Sequence, residues 1–152
     1  MNWIQGIQRA IDYVEDNITE EIDFEEVAAQ AYSTSFHFQR VFGILCGFSL
    51  GDYIRMRRLS LAGEELSKGN AKIIDIALKY GYDTPESFSR AFTRFHGIAP
   101  SEAKCGGKVK IFTPLSVKLI LTGGSKMDYR IEKRDAFQVV CKRKRVEKPQ
   151  SG

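Results

Sequence analysis

The sequence predicts a mainly α protein: two small helix-turn-helix modules joined by a long linker helix, followed by a short β-rich C-terminal segment. Three observations predict it. Up to about residue 100, apolar residues recur at three- and four-residue spacing between capping residues. The pattern Phe38, Arg40, Phe42 returns fifty residues later as Phe88, Arg90, Phe92, with Gly47 and Gly97 at the same offset. From Lys108 onward the period shortens to that of strands.

The elements follow in order. Residues 3–16 place Trp3, Ile4, Ile7, Ala10, Ile11 and Val14 on one helical face. Asp23 can cap a short helix from Phe24 to about Ala31, with Glu26 reaching back to the cap's own amide. "YSTS" interrupts it, and Ser33 or Thr34 caps a helix over about 35–46 that Gly47 ends. A long helix then starts at "SLGD" and stops near Gly69. Asn70 is the expected cap of the short helix in "AKIIDIALKY". Thr84 caps the last one, with Pro85 at its first position, and it runs to His96 before Gly97. The two helix-turn-helix stretches are thus about 24–46 and 72–96. Aligning them requires one inserted residue, expected in the first turn. "PSEAKCGGK" (100–108) marks a boundary between residues 1–106 and 107–152. Beyond it "KVKIF", "SVKLIL" and "YRIEKRDAFQVVCKRKRV" read as three strands, with "TGGS" as a turn.

Composition narrows the function classes. The chain has 152 residues and 43% hydrophobic content, as suits a folded protein of one ordinary domain or two very small ones. No window reaches the roughly 18 apolar residues of a membrane span. The N-terminus lacks a signal-peptide pattern, so a cytoplasmic location without a membrane partner is expected. The three cysteines lack metal-ligand spacing and are odd in number, so neither a zinc site nor a disulfide framework is expected. His37 and His96 are far apart with no cysteine nearby, which also speaks against a metal. No nucleophile elbow, dinucleotide fingerprint or phosphate loop is present, so no enzyme and no cofactor is expected. The net charge is +4, distributed as −7 over residues 1–30, +3 over 31–107 and +8 over 108–152. The basic character therefore comes mainly from the tail.

The repeated triplet carries the functional signal. On a helix from Ser35, the core face is Phe38, Val41, Phe42 and Leu45; in the second copy it is Phe88, Ala91, Phe92 and Phe95. The outward faces are Phe36, Gln39, Arg40, Gly43 and Glu86, Ser89, Arg90, Thr93. A helix presented by a tight turn can enter the DNA major groove. There arginine pairs with guanine, glutamine with adenine, and an apolar side chain such as Phe36 meets a thymine methyl. Glu86 could accept from cytosine, but Pro85 offers no donor, so the first copy is expected to dominate sequence reading. The plainer reading makes Arg40 and Arg90 surface arginines paired with nearby acids. Their duplication on matching faces favours double-stranded DNA as the partner. Arg55, Arg57 and Arg58 read mostly as a solvated basic face, and Cys46 as packing.

"VAAQAYSTSFHFQRVFGILCGFSLGDYIRMRRLSLAGEEL" with "IIDIALKYGYDTPESFSRAFTRFHGIAPSEAK" resembles the DNA-binding domain of AraC/XylS transcription regulators. The resemblance covers about residues 5–104. It implies a bundle of seven helices, two homeodomain-like helix-turn-helix subdomains bridged by the long helix, whose recognition helices reach successive major grooves. It implies a sequence-specific regulator, an activator, with RNA polymerase as a further candidate partner. Phe36, Gln39 and Arg40 are the implied base readers of the first module, with Ser35 a further DNA-binding candidate, and Glu86, Ser89 and Arg90 are the candidates of the second. Thr34, His37, Arg55, Thr84 and Arg94 are the candidates for phosphate contacts. Tyr32 stands where a glycine is common in the family. "MDYRIEKRDAFQVVCKRKRVE" resembles the opening of a GyrI-like effector-binding domain, as in Rob-type regulators. A complete one would imply a small-molecule effector; here the domain reads as truncated. The alternative class is a ligand-binding or protein-interaction module using the β segment, with the helices as scaffold.

Overall fold

Capping residues and glycines at the helix ends set the element order. The described residues of the computed structural model are 3–122, 126–133 and 140–142. Among them are seven helices: α1 (Trp3–Asp16), α2 (Phe24–Ala29), α3 (Ser35–Cys46), α4 (Leu50–Ser67), α5 (Ile73–Lys79), α6 (Pro85–His96) and α7 (Pro100–Lys104). Three strands follow: β1 (Leu115–Thr122), β2 (Lys126–Lys133) and β3 (Val140–Lys142). None of the described helices is long and apolar enough to cross a membrane. The chain divides into two compact units. One holds Met1–Asp16, Asp23–Leu50 and Pro114–Gly152; the other holds Asn17–Ile22 and Gly51–Thr113.

In the first unit, α1 buries Ile4, Ile7, Ala10, Ile11 and Val14, the face its spacing predicts, while Trp3 remains 41% exposed. Val27 and Ala28 of α2 and Phe38, Phe42 and Cys46 of α3 are also buried. Truncating either phenylalanine to Ala would cost about 3–5 kcal/mol. β1 packs on α1, with Leu115 and Val117 buried and the Val117 amide donating to Gln8 Oε1 at 2.9 Å. β1 and β2 pair antiparallel from Leu115↔Lys133 to Thr122↔Lys126, and β3 pairs with β2 on the far side. Most of the expected "TGGS" turn, the stretch 134–139 and the tail from Arg143 lie outside the described residues.

In the second unit the core is Leu59, Ala62, Leu66, Ile76, Ala77, Tyr80, Phe88, Phe92 and Ala103. His96 closes it, buried at 5% exposure. Its Nε2 donates to the Leu59 carbonyl at 2.7 Å and its Nδ1 accepts the Lys110 amide at 3.0 Å, so both ring nitrogens are satisfied in the neutral form. Gly63 makes room for this ring: a Cβ there would lie 2.7 Å from His96 Cε1.

Several sequence expectations are corrected. "KVKIF" is not a strand. It is an extended strap on the second unit, held by the Lys110 amide to His96, the Phe112 amide to Ser60 Oγ at 2.9 Å, and Arg57 to the Phe112 carbonyl. Nor are Arg57 and Arg58 a solvated face. Arg57 is 6% exposed, and Arg58 donates to the carbonyls of Ile18 and Glu20, at 2.8 and 2.7 Å. Burial pushes the Arg58 guanidinium below its usual value. Asn70 does not cap α5, whose N-cap is Lys72 without a side-chain bond. Glu26 accepts the Tyr13 hydroxyl at 2.6 Å instead of closing a capping box, although Asp23 does cap α2. The inserted residue lies in the second turn. Ser33 N–H reaches Ala28 O as Tyr82 N–H reaches Ala77 O, whereas the capping threonines are Thr34 and Thr84. Asp83 is therefore the extra residue.

Candidate nucleic-acid interface

Each candidate recognition helix is fixed by the same devices. Thr34 Oγ1 accepts the His37 amide at 3.2 Å, and Thr84 Oγ1 accepts the Ser87 amide at 3.1 Å. Gly47 and Gly97 end α3 and α6 at φ 83° and 81°, where a side chain would be strained. Between these ends every fourth residue points inward: Phe38, Phe42, Cys46 in one module and Phe88, Phe92, His96 in the other. Sequence reasoning took Cys46 as packing but missed His96, and in neither module did it place the third inward residue on the four-residue step. The four-residue step beyond Phe42 and Phe92 was the available signal.

The turns differ. Tyr32 has φ 54°, the one non-glycine residue in the left-handed region among the described residues; Gly81, at φ 89°, occupies the corresponding place. The expectation of glycine at Tyr32 therefore reflects a real backbone requirement. The Tyr32 ring is 79% exposed, and the Arg9 guanidinium lies 5.4 Å from its centroid. With Trp3 and His37, Tyr32 also lines an open cleft of about 640 Å³ beside the start of α3.

The outward faces are exposed only in part. Phe36 is 77% exposed, Arg40, Glu86 and Arg90 are exposed, and Ser35, Gln39 and Ser89 are half-buried. Phe36, Gln39 and Arg40 share an open cleft of about 580 Å³ with Gly43, Gly47, Phe48 and Ser49. Gln39 Nε2 donates to Ser35 Oγ at 2.9 Å. Among the phosphate candidates, the Thr34 and Thr84 hydroxyls cap their helices, the His37 ring lies 6.1 Å from that of Trp3 at a tilt of 40°, and Arg94 is exposed. Arg55 pairs with Asp52 at 2.5 Å on the surface.

Seven arginines fall within residues 3–118. Arg9 binds the Gln30 carbonyl at 2.9 Å, and Arg55, Arg57 and Arg58 are held as described. Arg40, Arg90 and Arg94 make no ion pair or side-chain hydrogen bond among the described residues. Among the described residues, the free guanidinium groups thus all lie on α3 and α6, Arg40 and Arg90 on the outward stripes and Arg94 exposed beside the second. This rejects the reading in which Arg40 and Arg90 are paired with nearby acids.

The family described as "Helix-turn-helix domain" matches residues 27–104. The transcriptional activator AarP of Providencia stuartii is 40% identical over 95 residues, covering 62% of this chain and 70% of that protein. An AraC-type transcriptional regulator from Chromobacterium violaceum has the same fold, with a TM-score of 0.62 and 23% identity over 66% of this chain and 89% of that one. The DNA-binding domain of AdpA, solved in complex with a target DNA, superposes with a TM-score of 0.60 at 22% identity, covering 66% of this chain and 91% of that chain. Duplicated fold, outward stripes and sequence likeness converge, and the chain belongs to the AraC-type helix-turn-helix transcription regulators.

Proposed function

We propose that this chain binds double-stranded DNA sequence-specifically and activates transcription, with α3 and α6 entering successive major grooves. The observation that carries the reading is that, among the described residues, the arginines without a partner all lie on α3 and α6, with Arg40 and Arg90 at equivalent outward positions. Arginine in a groove pairs bidentately with guanine, which a guanidinium already held by a carboxylate does poorly. The activator sense is carried over from AarP, and the DNA-binding sense is supported by the AdpA complex. Phe36, Gln39 and Arg40 are the proposed readers of the first module, with Ser35 at the DNA-facing start of the same helix, and Glu86, Ser89 and Arg90 those of the second. Thr34, His37, Arg55, Thr84 and Arg94 serve the phosphates. Binding-site selection from random duplexes at moderate salt tests this. The expected result is one defined site spanning two adjacent grooves per monomer; recovery of unenriched sequence would refute it.

The remaining parts of the reading are a cytoplasmic, non-enzymatic regulator with RNA polymerase as second partner. Residues 1–106 form the DNA-binding part, and 107–152 the opening of a GyrI-like effector domain. That boundary is one of sequence type, since Phe112, Leu115 and Val117 are all buried. In-vitro transcription with purified polymerase tests the partner, with promoter-dependent stimulation expected. The segment reads as a truncated form of such a domain, so a calorimetric survey of small amphipathic or cationic ligands should give no heat of binding at micromolar concentration.

A further inference from the structure

We propose that Ser35 is a positioning residue that makes Gln39 read adenine in preference to guanine; this rests on the DNA-reading function above. A glutamine carboxamide has one acceptor oxygen and two N–H donors. Unrestrained, it can face adenine with its oxygen and one N–H, or turn both hydrogens toward the paired acceptors O6 and N7 of guanine. In this chain one of those hydrogens is taken, because Gln39 Nε2 donates to Ser35 Oγ at 2.9 Å across one helical turn. What remains is one acceptor and one donor. That pair complements adenine N6–H and N7. Against guanine it would set the Gln39 oxygen against O6, an acceptor facing an acceptor.

The bond also orders a side chain with three rotatable torsions before DNA arrives, so less freedom is lost on binding. Gln39 lies in the wall of the cleft that also holds Phe36 and Arg40, where a base edge would approach. The second module has no such device. Pro85 occupies the place of Ser35 and Ser89 that of Gln39, while the Thr84 hydroxyl donates to Ser87 Oγ instead. The pairing therefore gives a physical form to the expectation that the first module reads more of the sequence.

The test is binding-site selection with the full chain, comparing wild type, Ser35→Ala, Ser35→Thr, Gln39→Ala and the Ser35→Ala/Gln39→Ala double variant. Gln39→Ala identifies the position that Gln39 reads, and adenine should be preferred there in wild type. Ser35→Ala should lower the adenine-to-guanine ratio at that position about 3- to 10-fold and leave the other positions unchanged. Ser35→Thr, which keeps the hydroxyl, should retain the ratio, and Ser35→Ala should change nothing further in the Gln39→Ala background. An unchanged ratio in Ser35→Ala, a preferred base other than adenine, or an equal loss on all sequences overturns the positioning role while leaving DNA reading intact. A wild-type chain that selects no site at all overturns both.

Discussion

At the scale of the residue, the seven arginines within residues 3–118, identical in chemistry, divide by what their guanidinium groups face. Arg40→Ala should weaken binding to the selected site by about 1–3 kcal/mol and relax one base position, as removal of a guanine-reading side chain does. Arg57→Ala should leave base preference unchanged. It removes a buried side-chain bond to the Phe112 carbonyl and should lower unfolding stability by about 1–3 kcal/mol. Fluorescence titration against the selected duplex and against random DNA, together with urea unfolding of both variants, separates the two cases. The outward arginines were legible in the sequence because helical period and duplication both fix their direction. Arg57 and Arg58 were not. Their partners are backbone carbonyls of Phe112, Ile18 and Glu20, distant in sequence, and no local pattern announces such a contact.

At the scale of the element, the two turns invite a direct comparison. Gly81→Ala places a Cβ at φ 89° and should destabilise the chain by about 1–2 kcal/mol in denaturant unfolding. Tyr32→Gly relieves the same kind of strain at φ 54° but gives up the stacking with Arg9, so its gain should be smaller than the Gly81→Ala loss. The strap gives a second prediction. Burial chiefly, and the Lys110 charge, lower the His96 pKa from 6.5, against the Leu59 carbonyl, which raises it. A depressed folded value means that the stability is fully present above pH 6.5 and is lost as the pH falls through the folded value. Protonation would also turn Nδ1 into a donor facing the Lys110 amide. Thermal melts from pH 7.5 to 5 should thus fall, and His96→Gln should reduce that dependence. Helix boundaries at Thr34, Gly47, Thr84 and Gly97 were readable because caps act within four residues. "KVKIF" was misread as a strand because its period of two reflects contact with α4 and α6 through Ser60 and His96, not pairing with another strand.

At the scale of the whole molecule, charge separates affinity from specificity. The basic surplus lies after residue 107, while the first thirty residues are strongly acidic. Net charge therefore says little about which bases are read. Arg94→Ala should shallow the dependence of log binding on log salt by about 0.9 for each phosphate that Arg94 neutralises, with the selected sequence unchanged. A filter-binding series in rising salt checks this. The fold class was legible because two copies of one module reinforce each other's pattern. The placement of β1 on α1 was not, since it depends on a pairing between Gln8 and Val117 across most of the chain.

The residues that hold α3 in place and the base readers proposed on its outward face are different residues. Thr34, Phe38, Phe42, Cys46 and Gly47 anchor the helix, while Phe36 and Arg40 touch little of the protein. A lineage can therefore drift in the promoters it answers to without passing through unfolded intermediates. Mutational tolerance and regulatory novelty are located on opposite sides of one twelve-residue helix.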